Sequence, residues 1–173
     1  VAHPASTCPV RVVPVLTGRA TLAINDAEAE RRHVAGAYAI LRDHDVIHDH
    51  TRFGAAHAAD VAVPVVITNH GPFDTEANER LAAAAGPNVF VVAISAAHGR
   101  GADGVRVDAV IHHGVDVDAF PSGRTPRVHL LFLGRMSPDK GVHLAVRYAR
   151  DAGVPLLIAA KMREAGEREY FRR

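Results

Sequence analysis

Tryptophan is absent from the 173 residues and aromatic side chains make up only 5%, so no stacking platform for bases or sugar rings stands out. The single cysteine, Cys8, rules out an intrachain disulfide and fits a reducing compartment. The expected location is therefore cytoplasmic, with peripheral membrane attachment left open. No apolar run approaches about 18 residues, the length that a membrane-spanning helix needs. A formal net charge of +1 gives no reason to expect nucleic acid as a partner. No secretory signal is visible, and because Val1 is not an initiator methionine the natural start is expected upstream. Gly-x(4)-Gly-Lys-Ser/Thr does not occur, which weighs against a P-loop.

What remains is ordinary globular material, 48% hydrophobic and 23% charged. It is enough for one good core, or for one domain and part of another. Short apolar runs at 45–48, 65–68, 88–94 and 109–112 read as strands. Residues 10–16 read as an edge strand, because Pro14 interrupts them. A helix is predicted from Asn25 or Asp26 to about Arg42, with Val34, Ala37, Tyr38 and Leu41 on one face. A short Ala-rich helix follows at 54–60. Asp74 or Thr75 caps another, which Gly86 and Pro87 end. Ser95 lacks a Gly-x-Ser-x-Gly context and reads as the cap of a short helix that fails near Gly99. Alternating strands and helices with short links predict α/β architecture with a parallel, doubly wound sheet.

Residues 114–126 carry Gly and Pro and little periodicity, and read as a linker. The alternation then restarts: strand 128–133, helix 138–152, strand 155–159, and a helix from about Met162. Within VHLLFLGRMSPDKG, the run Leu130 to Leu133 has the character of a buried parallel strand. Ser137 is a good N-cap and Pro138 suits the first helical position. Val142, Ala145, Val146 and Ala149 form one apolar face, and Gly153 can stop the helix. Arg135 and Lys140 thus flank a helix N-terminus at the carboxyl end of a strand. That is a place for a phosphate or diphosphate, or else an ordinary solvated βα loop. Two strands cannot close a core alone, so the second unit is expected to be cut short.

Histidine is abundant, with 12 in the chain. His48 and His50 end a predicted strand at i, i+2, with His44 before it. No standard metal-ligand motif such as HExxH accompanies them. No metal is expected there. The pair lines a cleft or is exposed in a loop. His70 lies just past the strand at 65–68. It reads either as a cleft histidine that hydrogen-bonds a hydroxyl or stabilises charge, or as a structural loop residue.

Five segments in order carry a resemblance: DVIHDH at 45–50, VVITNHG at 65–71, VVAISAAHGR at 91–100, VIHHGVDVDAFP at 110–121 and LLFLGRMSPDKG at 130–141. Together they resemble the retaining glycosyltransferases of GT-B fold, in the large group 1 family (family four). The resemblance implies two Rossmann-like units: a partial acceptor-side domain at 1–119, a linker at 120–127, and the start of a nucleotide-sugar domain at 128–173. It implies that Arg135, Lys140 and Gly134 hold the donor diphosphate, that His70 is catalytic, and that His48, His50 and Ser95 line the cleft. The donor is a nucleoside diphosphate sugar. The acceptor is a sugar, lipid-linked or small molecule, and no cofactor or metal is implied.

The chain departs from the family pattern at His112 and His113, where Pro and Asn are usual, and at Ala160, where Gly is common. The family's first glycine-rich loop is not found before Val10. Glu164, Glu167 and Glu169 do not reproduce its Glu-x(7)-Glu segment, expected beyond Arg173. The expectation is a fragment of a transferase, inactive alone. The rival is a non-catalytic α/β module that binds a phosphorylated ligand or a protein partner.

Overall fold

The computed structural model describes residues 11–13, 15, 26–120, 123 and 128–172. The chain divides into two compact units, Val1–Val115 and Asp116–Arg173. Of the strand expected at 10–16, residues 11–13 form no regular element, and Val10, Pro14 and Leu16 lie outside the described residues. Most of the linker expected at 120–127 lies outside them too.

In the first unit, helix α1 (Ala27–Leu41) starts where Asp26 accepts a hydrogen bond from the Ala29 N–H at 3.0 Å. The side chain thereby satisfies one of the free donors of the first turn. Strands β1 (Ile47–Asp49), β2 (Val65–Asn69), β3 (Val89–Ala93) and β4 (Ala109–Val110) form a parallel sheet in chain order. Helices α2 (Ala55–Ala58), α3 (Thr75–Ala83) and α4 (Ala96–Gly99) make the crossovers. The core joins Val34 and Tyr38 of α1 to Ile47, Val65, Ile67, Val89 and Val91 of the sheet, with Phe53, Phe73 and Leu81. Asn88 ties the turn before β2 by donating to the Val61 and Val63 carbonyls at 2.9 and 3.1 Å. β4 is shorter than the strand expected at 109–112: Ile111 and His112 are irregular. An edge strand with one neighbour has no second ladder to extend it.

The second unit contains β5 (Leu130–Arg135) and β6 (Leu156–Lys161), paired in parallel in register from Leu130↔Leu156 to Arg135↔Lys161. Helix α5 (Val142–Asp151) is the crossover and α6 (Ala165–Arg172) follows β6. Three expectations are corrected here. First, the strand at 130–133 is not buried: Leu131 is 64% and Leu133 79% exposed. Two strands and their helices cannot cover both sheet faces. For the same reason Val142 and Ala149 are buried while Val146 is exposed. Second, the helix is not continuous from 138. A 3-10 turn over Pro138–Lys140 ends at Gly141 (φ +72°), and α5 starts only after it. That left-handed backbone favours glycine. Third, Ser137 precedes the turn but its side chain makes no capping bond.

At its far end α5 closes as expected. Gly153 (φ +65°) donates to the Arg150 carbonyl and Val154 to the Ala149 carbonyl, the paired bonds of a Schellman stop. α6 begins on a half capping box: Glu167 accepts from the Arg163 and Glu164 N–H groups at 2.7 and 3.0 Å. Glu167 is thus committed to its own helix, and those two bonds, Glu164 first, hold its carboxyl below the usual range.

Candidate functional site

The carboxyl ends of β1, β2 and β4 gather histidines. Alternation along β1 sets this up. Ile47 and Asp49 turn inward, which leaves His48 and His50 on the other side. Asp49 is buried. It accepts a hydrogen bond from the Tyr38 hydroxyl at 2.7 Å and one from the Thr51 N–H at 2.6 Å. Burial, then the hydrogen bond and charge of Asp49, push the Tyr38 phenol far above its ordinary value. A Cβ on Gly54 would collide with the Asp49 carboxylate, so that glycine is required by a close approach. The inward anchor fixes the strand end from which His48 and His50 project.

Four imidazoles then stand in a pile. The rings of His48 and His50 lie 4.1 Å apart between centroids. Those of His50 and His70 meet edge to edge with centroids 5.0 Å apart, and those of His70 and His113 lie 5.1 Å apart with planes 3° apart. His50 Nδ1 and His70 Nε2 are 2.7 Å apart, a hydrogen bond between rings. His48 Nε2 lies 2.9 Å from Thr68 Oγ1. Burial lowers the pKa of His50, and the neighbouring His48 and His70 lower it further. Burial likewise lowers that of His70, followed by His113, His48 and His98.

A cavity of about 440 Å³ opens beside the pile, lined by His50, Asn69 and His70 on one side and by Arg52, Glu76 and Arg80 on another. Arg52 and Arg80 pair with Glu76 at 3.2 and 2.6 Å. His50 is among the residues that line this cavity and His48 is not; Ser95 caps α4, accepting from the His98 N–H at 3.0 Å.

In the second unit, Arg135 ends β5, and its register partner Lys161 ends β6 at the same edge. Arg135 and Lys140 converge on one atom: Asp139 Oδ2 lies 3.1 Å from Arg135 Nη2 and 3.6 Å from Lys140 Nζ. The two cations expected to await an anion are therefore already paired with a carboxylate of their own turn. The Ser137 hydroxyl, then Arg135 and Lys140, hold the Asp139 carboxyl below its usual range. Gly134 packs where a Cβ would press on the Phe132 ring at 3.3 Å, so it serves close packing.

Sequence reasoning missed four participants. Asp139 was legible as a carboxylate between Arg135 and Lys140 at i, i+4 spacing. Lys161 needed the β5–β6 register. His113 was visible only as a departure from the family pattern. His98 carried no signal: its Nδ1 accepts from the Ile94 N–H at 3.3 Å and its Nε2 meets the Gly71 carbonyl at 2.6 Å, which fixes the loop beside His70. Among the described residues no group of three or more His, Cys, Asp or Glu could hold a metal ion. No helix among them is long and apolar enough to cross a membrane.

The fold and these edges define a class: Rossmann-like α/β architecture with parallel sheets and polar clusters at strand carboxyl ends. No family model matches the chain, and no curated protein matches it.

Proposed function

We propose that the chain is part of a cytoplasmic retaining glycosyltransferase of GT-B type, with the second unit holding a nucleoside diphosphate sugar and the first serving the acceptor side. The observation that carries this reading is the convergence of Arg135 and Lys140 on one carboxylate oxygen at the carboxyl end of β5. An anion is already accommodated at that point, and a diphosphate replaces Asp139 there with more charge and more acceptor oxygens. The two cations then stabilise the nucleoside diphosphate as it leaves, the charge that develops during transfer. Lys161 adds a third positive group at that edge. His70, at the end of β2, hydrogen-bonds a sugar hydroxyl or offsets charge near the transferred group.

The test is calorimetric titration of ADP, GDP and UDP into the chain and two variants. Arg135→Ala should weaken the preferred nucleotide by about tenfold or more, the worth of one charge-assisted hydrogen bond. Asp139→Asn should tighten it, because the internal competitor is gone. Equal affinities across all three proteins would remove this turn from any donor site.

A further inference from the structure

The His50–His70 contact constrains how many protons the imidazole pile can hold. A hydrogen bond between two ring nitrogens at 2.7 Å needs one N–H and one bare nitrogen. In the neutral pair one ring donates across the contact, so its outer nitrogen is bare, and the other ring keeps its proton outside. One added proton converts the bare outer nitrogen into a donor and leaves the shared hydrogen bond intact. A second would place N–H against N–H and break the contact. His48 and His113 close the two ends of the pair, so a second charge would also sit among further imidazoles.

The cavity beside the pair is short of one acceptor. Asn69 lines it, and the Asn69 Nδ2 group is buried with no hydrogen-bond partner, while its Oδ1 accepts from the Gly71 N–H at 3.3 Å. The carboxylates around it are engaged elsewhere. Asp74 caps α3 through the Ala77 N–H, Glu30 accepts from the Arg52 N–H, and Glu76 is paired with Arg52 and Arg80. With neutral imidazoles, three carboxylates oppose two guanidiniums in the lining, a formal charge of −1 (2 − 3). One proton on the pair brings it to zero and puts the new positive charge in the lining that includes Asn69. Asp49, on the far side of β1, favours that charge on His50, whereas His98 opposes it on His70.

We propose that the His50–His70 pair takes up a single shared proton, and that in this charged state the pair and Asn69 bind a small oxyanion, a phosphate or sulfate group, which the neutral cavity rejects. The inference goes beyond the donor reading, since it concerns the first unit alone and needs no sugar transfer.

Sulfate is the probe because its charge is constant across the range. Imidazole and side-chain amide NMR signals of the wild-type chain are followed during sulfate titration at pH 5.5 and 7.5. Binding read from His50, Asn69 and His70 should be about tenfold or more tighter at pH 5.5, because one proton is linked to one anion. The pH titration without sulfate should show one proton taken up by the two rings together while their mutual hydrogen bond persists. His50→Gln should abolish the pH dependence; should that variant fail to fold, the wild-type comparison decides alone. Glycerol 3-phosphate, titrated in parallel at pH 5.5, separates an organic phosphate, which then binds more tightly than sulfate, from a free ion, which binds better than the ester. Equal sulfate affinity at both pH values, or a full proton on each ring while they remain in contact, would overturn the proposal. Because these signals come from the first unit, nucleotide binding at Arg135 can fail or succeed separately.

Discussion

The two units use the same parallel strand grammar with opposite outcomes for their apolar residues. In the first, four strands and their helices enclose a core, and β2 buries Val65, Ile67 and Thr68 in near succession. In the second, two strands leave Leu131 and Leu133 open. A hydrophobic run states that a strand wants to be covered. Only the number of neighbouring strands and helices determines whether it is. The polar ends differ too. The first unit gathers weak bases in contact with one another, whereas the second sets strong cations against a carboxylate.

Matched substitutions break or sharpen this contrast. The largest effect should be Leu81→Ala in the first unit. Leu81 is 6% exposed within the core, and its truncation should cost about 3 kcal/mol by denaturant unfolding, transfer and cavity terms together. Gly54→Ala should come next, at about 2 kcal/mol, because the new methyl displaces the buried Asp49 carboxylate from its bonds to Tyr38 and Thr51. If Gly54→Ala were neutral, the inward anchor of β1 would not be rigid.

Acidification should separate the units without mutation. The folded-state pKa values of His50 and His70 lie below the ordinary 6.5, so the unfolded first unit binds more protons in that window. Its stability is full above about 6.5 and falls as pH drops toward the folded values. Glu167 in the second unit has the same sign in a lower window: its contribution is present above 4.5 and is lost only as pH falls further. Hydrogen exchange corrected for intrinsic rates should therefore show protection falling in the first unit between pH 7.5 and 5.5, and not around α6. Simultaneous loss in both units would contradict this assignment. The smallest effect belongs to Leu133→Ala, 79% exposed, which should change stability by less than about 0.5 kcal/mol.

Features settled by neighbours in sequence were legible before any coordinates. Asp26, Asp74 and Ser95 are caps because each side chain reaches an N–H three residues on, a distance that spacing alone dictates. Parallel strands alternating with helices followed from the short links, but the doubly wound order did not: among the described residues β1 to β4 lie side by side in chain order. The left-handed backbone of Gly141, which splits the expected helix, was not legible. The imidazole pile lay further out of reach. His50 and His70 meet across 20 residues, and His70 and His113 across 43 (113 − 70), through strand register and loop geometry that no local pattern encodes. The exposure of β5 was hidden for a related reason, since it depends on strands that are not its sequence neighbours.

Asp139 has a consequence for selectivity. On the donor reading, a ligand must evict a tethered carboxylate before it can reach Arg135 and Lys140, so its apparent affinity is its intrinsic affinity scaled by the fraction of time the turn is vacated. A ligand that offers only another single carboxylate exchanges like for like and gains little. A diphosphate brings extra charge and extra oxygens against that cost. The internal counterion thus works as a threshold, silent toward weak anions and permissive toward a strong one.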